Sequence, residues 1–367
     1  MKHLLLVGGG HSQLAVLKGF GDAPIEGVRL TLLSPNRYAL YSGMIPGLIA
    51  GHYRLEDCRI DLRPLAERAG AGFLEDSAVE IDPVRREVIT LRGERFGYDL
   101  LSLDVGSAAG EAAGAPEHAL RLRPIELFLS GWERLRGSAR RGEVRRIAVI
   151  GGGAAGVEVL LAMQHRLAGA AVEFALFSDT PILAGHNESV RRRIARILGV
   201  RGVGVHTGRK VLASGAGALE LEGGERFQAQ ATVWATGASA PAWIAASGLR
   251  TDALGFVAVS EALQSTSHPD IFAAGDVATI VGQVSPKSGV LAVRQGPALA
   301  RNLRLALAGA TLKPFRSPAR ALALISCGDR YAVASWGSLA LGGAWVWRWK
   351  DRIDRRFVGK YRLGPEP

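Results

Sequence analysis

The chain has 367 residues, of which 48% are hydrophobic and 22% are charged. This composition excludes an intrinsically disordered chain, and the length allows two or three domains with cores of their own. The formal net charge is +11, a balance that favours phosphate-rich cofactors, an anionic membrane or nucleic acid as partners. Because no nucleic-acid motif accompanies the charge, we expect no nucleic-acid partner.

The two cysteines, Cys58 and Cys327, lie far apart and belong to no C-x-x-C pair. Their spacing excludes a disulfide scaffold and a cysteine metal site. The eight histidines show no H-x-x-x-H spacing, so we expect no metal. The chain also lacks a run of about 18 apolar residues, the length that a membrane-spanning helix needs. We therefore expect a cytoplasmic protein, either soluble or held on the inner face of the cell membrane.

A pattern of strand, glycine turn, helix and strand occurs twice in the chain. Residues 4–17 read LLLVGGGHSQLAVL, and residues 147–161 read IAVIGGGAAGVEVLL. A second apolar run follows each copy, at residues 28–34 and 171–178. Continuous apolar runs of this length are typical of parallel strands buried on both faces. The repeat predicts two Rossmann-type halves.

Each glycine turn is suited to the pyrophosphate of a dinucleotide. The first glycine makes the turn, the second lets the backbone approach the anion, and the third allows close packing of the helix. The second copy has all three glycines, at Gly151, Gly153 and Gly156. The first copy keeps Gly8 and Gly10 but has Gln13 in the third position. Two such motifs in equivalent contexts are stronger evidence than one.

The acidic residue that usually binds the ribose at the end of the second strand is a serine in both halves. Ser34 stands there in the first half, and Ser178, followed by Asp179, in the second. A serine hydroxyl still forms a hydrogen bond with a ribose. The absence of glutamate, with three arginines at 191–193 downstream, leaves NADPH open beside NADH. The same arginines also fit a solvated helix face.

Shorter apolar runs predict further strands, at residues 78–81, 87–91, 100–103, 231–235, 320–326 and 331–335. A Gly/Ala-rich stretch at 106–119 is typical of a hinge, and we expect a return crossing near 236–250. The predicted fold is α/β, with two Rossmann-type domains, the second inserted in the first, and a small α+β C-terminal unit. The predicted bounds are 1–115 and 237–309 for the first domain, 116–236 for the second and 310–367 for the C-terminal unit.

A third motif, STSHPDIFAAGDVA at residues 265–278, ends an apolar strand in Gly275 and Asp276. With the two glycine turns, it resembles the second FAD motif of the pyridine nucleotide–disulfide oxidoreductase superfamily. The resemblance implies that the first domain binds FAD, with Asp276 at the ribityl or pyrophosphate region, and that the second binds NAD(P)H. Two segments match the crossovers of the superfamily: residues 234–237, with Thr236 and Gly237, and residues 104–107, with Gly106.

The close cysteine pair of the disulfide reductases is absent, so we expect neither disulfide reduction nor two-cysteine sulfide oxidation. The chain resembles the type II NADH:quinone oxidoreductases and, most closely, the flavoprotein module found fused to selenide, water dikinase. Three segments carry this closer resemblance, at residues 34–53, 285–303 and 328–337. A role in selenium metabolism would rest on this association alone.

The resemblance also implies roles for single residues. Glu158, on the first turns of the second glycine helix, faces the nicotinamide ribose and the flavin in similar enzymes; the alternative is a solvent-facing position. Lys287 would add a positive charge at the flavin, next to a helix that begins at Gly289 and Val290. An exposed loop lysine is the alternative for Lys287.

Two further residues are implied at the FAD itself. Arg37 falls in a segment that lines the flavin in relatives, where it would bind the FAD phosphates or the edge of the ring. Val79 matches the backbone position that meets the adenine. Tyr38, Tyr41 and Met44 fall in the same segment, and packing is the alternative for the two tyrosines.

The electron acceptor is predicted less directly. The A-Q-x-A-x-Q pattern of the type II quinone reductases corresponds here to Gly289, Val290, Ala292 and Arg294, with Gln295 one place further on. Both glutamines are replaced. In the C-terminal stretch, Trp345, Trp349, Ile353 and Phe357 recur every four residues, and arginines occupy other faces. This pattern is typical of an interfacial membrane helix, with a helix docked on a protein core as the alternative.

These observations predict an FAD-dependent NAD(P)H dehydrogenase that passes hydride to FAD and electrons to a quinone-like acceptor. Two alternatives stay open. One is a soluble flavin reductase for another acceptor, linked to selenium or sulfur compounds, and the other is a redox-sensing flavoprotein of slow turnover. A homodimer is one of the oligomeric states that the sequence leaves open.

Overall fold

The computed structural model describes residues 1–109, 119–215, 217–283, 287–316 and 321–363. Most of the hinge predicted at 106–119 lies outside the described residues, and so does the predicted domain boundary at 115/116. Residue 320, the predicted start of a strand, lies outside them as well. The two further predicted boundaries, at 236/237 and 309/310, stay predictions. The first falls just before the chain crosses back to the first domain.

The first domain is built on a parallel sheet. Its five strands are, in spatial order, Ile271–Ala273, Leu100–Leu103, Lys2–Val7, Val28–Ser34 and Ala71–Glu75. Its main helices are His11–Asp22 (the first glycine helix), Leu62–Arg68 and Gly289–Leu307 (the long helix). The leucines of the central strand are fully buried, as expected for a strand covered on both faces. Since strand Ile271–Ala273 comes after the second domain in the chain, the second domain is inserted in the first.

Smaller elements complete the first domain. The antiparallel strands are Ala78–Asp82, Glu87–Thr90 and Arg95–Gly97 in one sheet and Tyr38–Leu40 with Arg59–Asp61 in another. Strands Val257–Val259 and Ala278–Ile280 pair in parallel. The short helices are Ser42–Met44, Ile45–Ala50, Leu55–Cys58, Ala242–Ala246 and Gly275–Val277.

The second domain repeats the plan of the first. Its parallel strands are, in spatial order, Leu120–Arg121, Ala231–Trp234, Arg146–Ile150, Glu173–Ser178 and Gly204–Thr207. Its helices are Ile125–Arg140, Ala154–Arg166 (the second glycine helix) and Glu188–Val200. A small antiparallel sheet contains Val211–Gly215, Ala218–Leu221 and Arg226–Gln228. Where the chain crosses between the domains, Ala108–Ala109 pairs antiparallel with Ala238–Ser239.

The C-terminal unit packs on both domains. Its antiparallel strands are Ala323–Ser326, Ala332–Trp336 and Leu339–Gly343, followed by helix Ala344–Tyr361 (the C-terminal helix). Trp347 and Val358 join the core of the first domain, whereas Ile325 and Val333 join the core of the second. Among the helices of the described residues, none is long and apolar enough to cross a membrane.

The predicted fold class is confirmed, and the predicted strands at 28–34 and 100–103 have those bounds in the structure. The strand predicted at 171–178 begins only at Glu173. Of the four apolar residues predicted to share one exposed face of the C-terminal helix, one is placed wrongly. Trp345, Trp349 and Ile353 are exposed, but Phe357 turns inward and stacks on Tyr41 at 4.4 Å between ring centroids.

The contact between Gly328 and the second glycine helix gives a test of how the C-terminal unit is attached. Gly328 has φ +87°, and a Cβ there would overlap the Leu161 carbonyl oxygen. Gly309 has a similar φ of +66° with open space around it. We expect Gly309→Ala to cost about 1 to 2 kcal/mol of unfolding free energy for its left-handed backbone. We expect Gly328→Ala to lower the unfolding free energy by a further amount of about 1 to 3 kcal/mol, because the new methyl group overpacks the contact with Leu161. Urea denaturation measures both, and equal losses in the two variants would contradict the predicted contact.

Candidate functional site

Each glycine turn packs against the end of a neighbouring parallel strand, and the two halves do so in the same way. At Gly8 the backbone has φ +95°, and a Cβ would overlap the Asp104 carbonyl oxygen. At Gly151 φ is +125°, and a Cβ would lie 2.6 Å from the Ala235 carbonyl oxygen. The segments that resemble the superfamily's crossovers therefore lie directly beside the glycine turns. Of their predicted residues, Thr236 and Gly237 are exposed.

The two predicted ribose-binding serines lie under the middle glycines of the turns. A Cβ at Gly9 would be 3.0 Å from the Ser34 hydroxyl, and one at Gly152 would be 2.5 Å from the Ser178 hydroxyl. Both serines are buried. The Ser34 hydroxyl donates a hydrogen bond to the Asn36 carbonyl oxygen at 3.0 Å. The structure thus brings both hydroxyls to the place where the sequence predicts a nucleotide.

In the second half the remaining glycines leave the helix N-terminus open. A Cβ at Gly156 would overlap the Gly151 carbonyl oxygen, so only glycine allows this close packing of turn and helix. A methyl group added at Gly153 would have no protein atom of the described residues within 4 Å. The backbone there is accessible to a bound pyrophosphate, which fits a dinucleotide at this turn.

In the first half a carboxylate occupies the corresponding space. Asp104 accepts hydrogen bonds from the backbone N–H of Ser12 at 2.7 Å and of Gln13 at 3.1 Å. A Cβ at Gly10 would overlap this carboxyl group. Burial raises the pKa of Asp104 to about 7, although the two N–H donors favour its ionised form. Sequence reasoning missed the role of Asp104. The signal was an acid at the position where the second half has Ala235.

The Gly275–Asp276 turn closes the same region from the other side. Gly275 has φ +70°, and a Cβ there would overlap Asp104. Its N–H donates to Gln295 Oε1 of the long helix at 2.7 Å. Asp276 forms an ion pair with Arg123 at 2.9 Å, a partner that the sequence did not reveal. Gly106, at φ +72° with open space around it, lies on the crossover beside them.

Two predicted FAD ligands stand apart from this cluster. The Arg37 guanidinium forms a two-point ion pair with Asp61, with Nη2 to Oδ2 at 2.6 Å and Nε to Oδ1 at 3.1 Å. Its charge is therefore already matched by a carboxylate. Val79 lies at a register shift between strands Ala78–Asp82 and Glu87–Thr90. Its side chain is partly exposed.

The N-terminus of the long helix lies against the first glycine helix. Ser288 caps it by accepting from the Leu291 N–H at 3.4 Å. A Cβ at Gly289 would overlap the Ser42 hydroxyl and lie 3.9 Å from the His11 ring. Burial lowers the pKa of His11 to about 4, so this imidazole is neutral at pH 7. Val290, the next predicted residue, is partly exposed.

Lys287 is a half-buried lysine rather than an exposed loop residue. Its ammonium donates to the Ala278 carbonyl oxygen at 2.5 Å and to the Thr279 hydroxyl at 2.8 Å. It also lies 3.8 Å from the centre of the Phe256 ring. Burial lowers its pKa to about 8. The positive charge is thus held against strand Ala278–Ile280, two residues from the predicted helix.

Glu158 lies where three parts of the chain meet. Its Oε1 accepts the Ser326 N–H of the C-terminal unit at 2.8 Å. Burial raises its pKa to about 7, with the Lys350 charge opposing the rise. Lys350 itself donates to the Gly43 carbonyl oxygen at 2.5 Å and to Asp354 at 2.6 Å. The alternative of a solvent-facing Glu158 is therefore wrong: its environment is protein, and the carboxyl is half protonated near neutral pH.

Neither cysteine of the chain forms a disulfide. Cys58 and Cys327 are both buried and free, and burial raises the pKa of each thiol to about 12. A thiol of this kind is protonated at pH 7 and is a poor nucleophile. Cys58 packs in the core of the first domain and Cys327 in the core of the second.

Comparisons with known proteins agree with this arrangement. Two NADH dehydrogenase-like proteins of Mycobacterium tuberculosis are 30% identical over 243 residues, which are 61% of this chain and 59% of theirs. The matched part thus spans about three fifths of those relatives. A type II NADH:quinone oxidoreductase of Haemophilus influenzae is 22% identical over 86% of this chain and 83% of its own.

Among solved structures, the sulfide:quinone oxidoreductase of Aquifex aeolicus has a TM-score of 0.85 at 20% identity. It is matched over 99% of this chain and 92% of its own. NDH2 of Plasmodium falciparum has a TM-score of 0.83 at 13% identity, over 97% of each chain. At these identities the likeness shows the fold. The family model of pyridine nucleotide-disulphide oxidoreductases matches residues 2–296. The chain belongs to this family, whose members use FAD and NAD(P)H.

Proposed function

We propose that this chain is an FAD-dependent NAD(P)H dehydrogenase that passes electrons to a quinone-like acceptor without a redox disulfide. The observation that carries the proposal is the pair of equivalent glycine turns, each seated on a strand end and each with a buried serine beneath it. Two dinucleotides held in this way have their reactive ends directed to the region between the domains. Bound FAD supplies a ring that takes hydride from a nicotinamide and passes electrons onward.

The residues of the first domain would hold FAD. Gly8, Gly10 and Ser34 lie at its glycine turn, and Asp276 lies at the turn that faces them. The N-terminus of the long helix, at Gly289, presents free N–H groups and the positive end of a helix dipole. Such a terminus would stabilise negative charge on the flavin, and the ammonium of Lys287, two residues before the helix, would add to this field. In the second domain, the turn of Gly151, Gly153, Gly156 and Ser178 would hold NAD(P)H.

A quinone-like acceptor is supported by chemistry and by relatives. Reduction of a quinone consumes two electrons and two protons, so the site needs a proton source. Glu158, half protonated near pH 7, and the buried ammonium of Lys350 lie together between the second glycine helix and the C-terminal helix. Relatives carry the names NADH dehydrogenase-like protein and type II NADH:quinone oxidoreductase. Because both thiols are buried and lie in different cores, we expect no redox cysteine pair for a disulfide or sulfide substrate.

One observation favours the alternative of a soluble flavin reductase with another acceptor. The glutamines of the quinone-reductase pattern are replaced by Val290 and Arg294. The neighbouring Gln295 is buried, and its amide oxygen is bonded to Gly275, so it does not take their place. The acceptor therefore has to be identified by experiment.

Contact with a membrane surface is part of the proposal. Trp345, Trp349 and Ile353 are 48%, 40% and 40% exposed on one side of the C-terminal helix. Trp336 and Leu339 on the preceding hairpin are exposed as well. Arginines at 348, 352 and 356 are exposed on the same helix. Exposed tryptophans beside arginines suit the interface of an anionic bilayer.

Glu158→Gln tests the proton source. Glu158 would donate its proton from the neutral form, so the wild-type kcat with a short-chain ubiquinone analogue should fall as pH rises through about 7. The variant should lose this inflection and about 100-fold in kcat, with the amide oxygen still accepting the Ser326 N–H. The exposed Glu126→Gln is the control and should match the wild type. An unchanged pH profile in Glu158→Gln would remove Glu158 from the proposal.

Gly153→Ala tests the second nucleotide site. Since no described protein atom lies near the new methyl group, the fold and the FAD content should be unchanged. The methyl group would block the approach of a pyrophosphate to the backbone, and we expect NAD(P)H binding to weaken about tenfold or more. Gly199→Ala, in open space on a helix of the same domain, is the control. If Gly153→Ala binds NADH and NADPH with the same dissociation constants as Gly199→Ala, the nucleotide does not bind at this glycine turn.

Vesicle flotation tests the membrane contact. We expect the wild type to float with vesicles that contain phosphatidylglycerol and to float less with pure phosphatidylcholine. Trp345→Asp combined with Trp349→Asp should abolish flotation, because it puts negative charges at the interface. Leu127→Asp, which changes an exposed leucine of the second domain, is the matched control. Flotation of the double variant equal to that of the wild type would remove the C-terminal helix from the membrane contact, and a wild type that does not float would support the soluble alternative.

A further inference from the structure

The two nucleotide-binding halves differ at one pair of positions. In the second half, Gly156 is the third glycine, and a Cβ there would lie 3.3 Å from the Ala235 methyl group. In the first half, the same two positions are Gln13 and Asp104. A small, uncharged contact in one half is thus replaced by a carboxyl group and an amide in the other. FAD would bind in the half that carries the carboxyl group.

The Asp104 carboxyl group accepts hydrogen bonds from N–H groups at the N-terminus of the first glycine helix. It is 3% exposed, and its Oδ2 accepts from the N–H groups of Ser12 and Gln13 at 2.7 and 3.1 Å. The Gln13 N–H also donates to the Gly10 carbonyl oxygen at 3.1 Å, whereas the Ser12 N–H belongs to the first helical turn, whose N–H groups attract an anion. An ionised Asp104 therefore already supplies a negative charge and a hydrogen-bond acceptor to these N–H groups. This reduces the attraction of the helix N-terminus for a pyrophosphate.

Among the residues that the structure describes, the groups packed against Asp104 do not supply a compensating cation. The Gln13 amide donates to Ser102 of the adjacent strand, and Gln295 of the long helix accepts from Gly275. The charged residue that acts on Asp104 is Asp276, which carries the same sign. The Arg123 guanidinium is paired with Asp276. His11, the next residue along the turn, has its pKa lowered to about 4 by burial and is neutral.

We propose that Asp104 couples FAD binding to the uptake of one proton, so that the first glycine helix receives the FAD pyrophosphate with Asp104 in its neutral form. The proton comes from solvent and binds a carboxylate oxygen of Asp104; no electron is transferred. Asp104 thus acts as a positioning residue at the helix N-terminus. The inference rests on the proposed FAD site but is independent of the electron donor and acceptor.

The sign of the pH dependence follows from linkage. In the FAD-free protein, burial raises the pKa of Asp104 to about 7, and the added phosphate charge raises it further. The FAD affinity is therefore highest below pH 7, and above pH 7 it falls by up to about tenfold per pH unit. The fall ends where the pKa of the FAD-bound form is reached.

Calorimetric titration of the full-length apoprotein with FAD tests the proposal. Titrations at pH 8 in buffers of different ionisation enthalpy give the number of protons taken up. We expect a value that approaches one for the wild type and lies near zero for Asp104→Asn. The variant should bind FAD more tightly than the wild type at pH 8.5 and about equally at pH 6. Asp270→Asn changes a carboxylate paired with Arg86 in the same domain, and it should keep the proton uptake.

Equal proton uptake by the wild type and Asp104→Asn would overturn the proposal. If Asp104→Asn does not fold, the wild type decides: the infrared difference spectrum of FAD binding at pH 8 should gain the band of a protonated carboxylic acid, and its absence would overturn the proposal. Since NAD(P)H is not used, a negative result leaves the dehydrogenase function standing. A chain that takes up the proton but is not reduced by NAD(P)H would refute only that function. An apoprotein that binds no FAD would overturn both.

Discussion

The arrangement of this protein depends on how closely a glycine turn approaches the end of the neighbouring parallel strand. At Gly8 and Gly151 the backbone passes so near a strand-end carbonyl that a side chain has no room. The positive φ at both positions makes glycine the residue of choice for a second reason. This contact fixes where each helix begins and therefore where its N–H groups point. Both nucleotide sites follow from that one constraint, applied twice in the chain.

The C-terminal unit connects the two domains through buried polar contacts. Its buried Lys350 reaches the Gly43 carbonyl of the first domain, while its Ser326 N–H reaches Glu158 of the second. The Lys350–Asp354 pair is almost fully enclosed. Such a pair contributes little net stability because desolvation offsets the attraction between the charges. Its effect is to hold the Lys350 ammonium close to the Glu158 carboxyl group, where the C-terminal unit meets both domains.

The sequence predicted the repeated parts of the molecule well, because a buried parallel strand requires an apolar run and a tight turn requires glycine. Both requirements are local. It did not predict three contacts between residues far apart in the chain. These are Asp104 with Ser12, Arg123 with Asp276 and Lys350 with Gly43, which are 92, 153 and 307 residues apart. Such pairings depend on tertiary placement. The error at Phe357 is geometric: each four-residue step turns about 40° past a full helical turn, so three steps from Trp345 carry the side chain round to the protein.

Whether the protein is a dehydrogenase is tested by the visible spectrum of the purified, FAD-loaded protein under anaerobic conditions, before and after addition of NADH or NADPH. The account predicts that at least one nucleotide bleaches the flavin bands within the mixing time, and the more effective one identifies the donor. A yellow protein that neither nucleotide bleaches would contradict a dehydrogenase and favour a redox-sensing flavoprotein. A protein that neither contains nor binds FAD would contradict the account at its foundation.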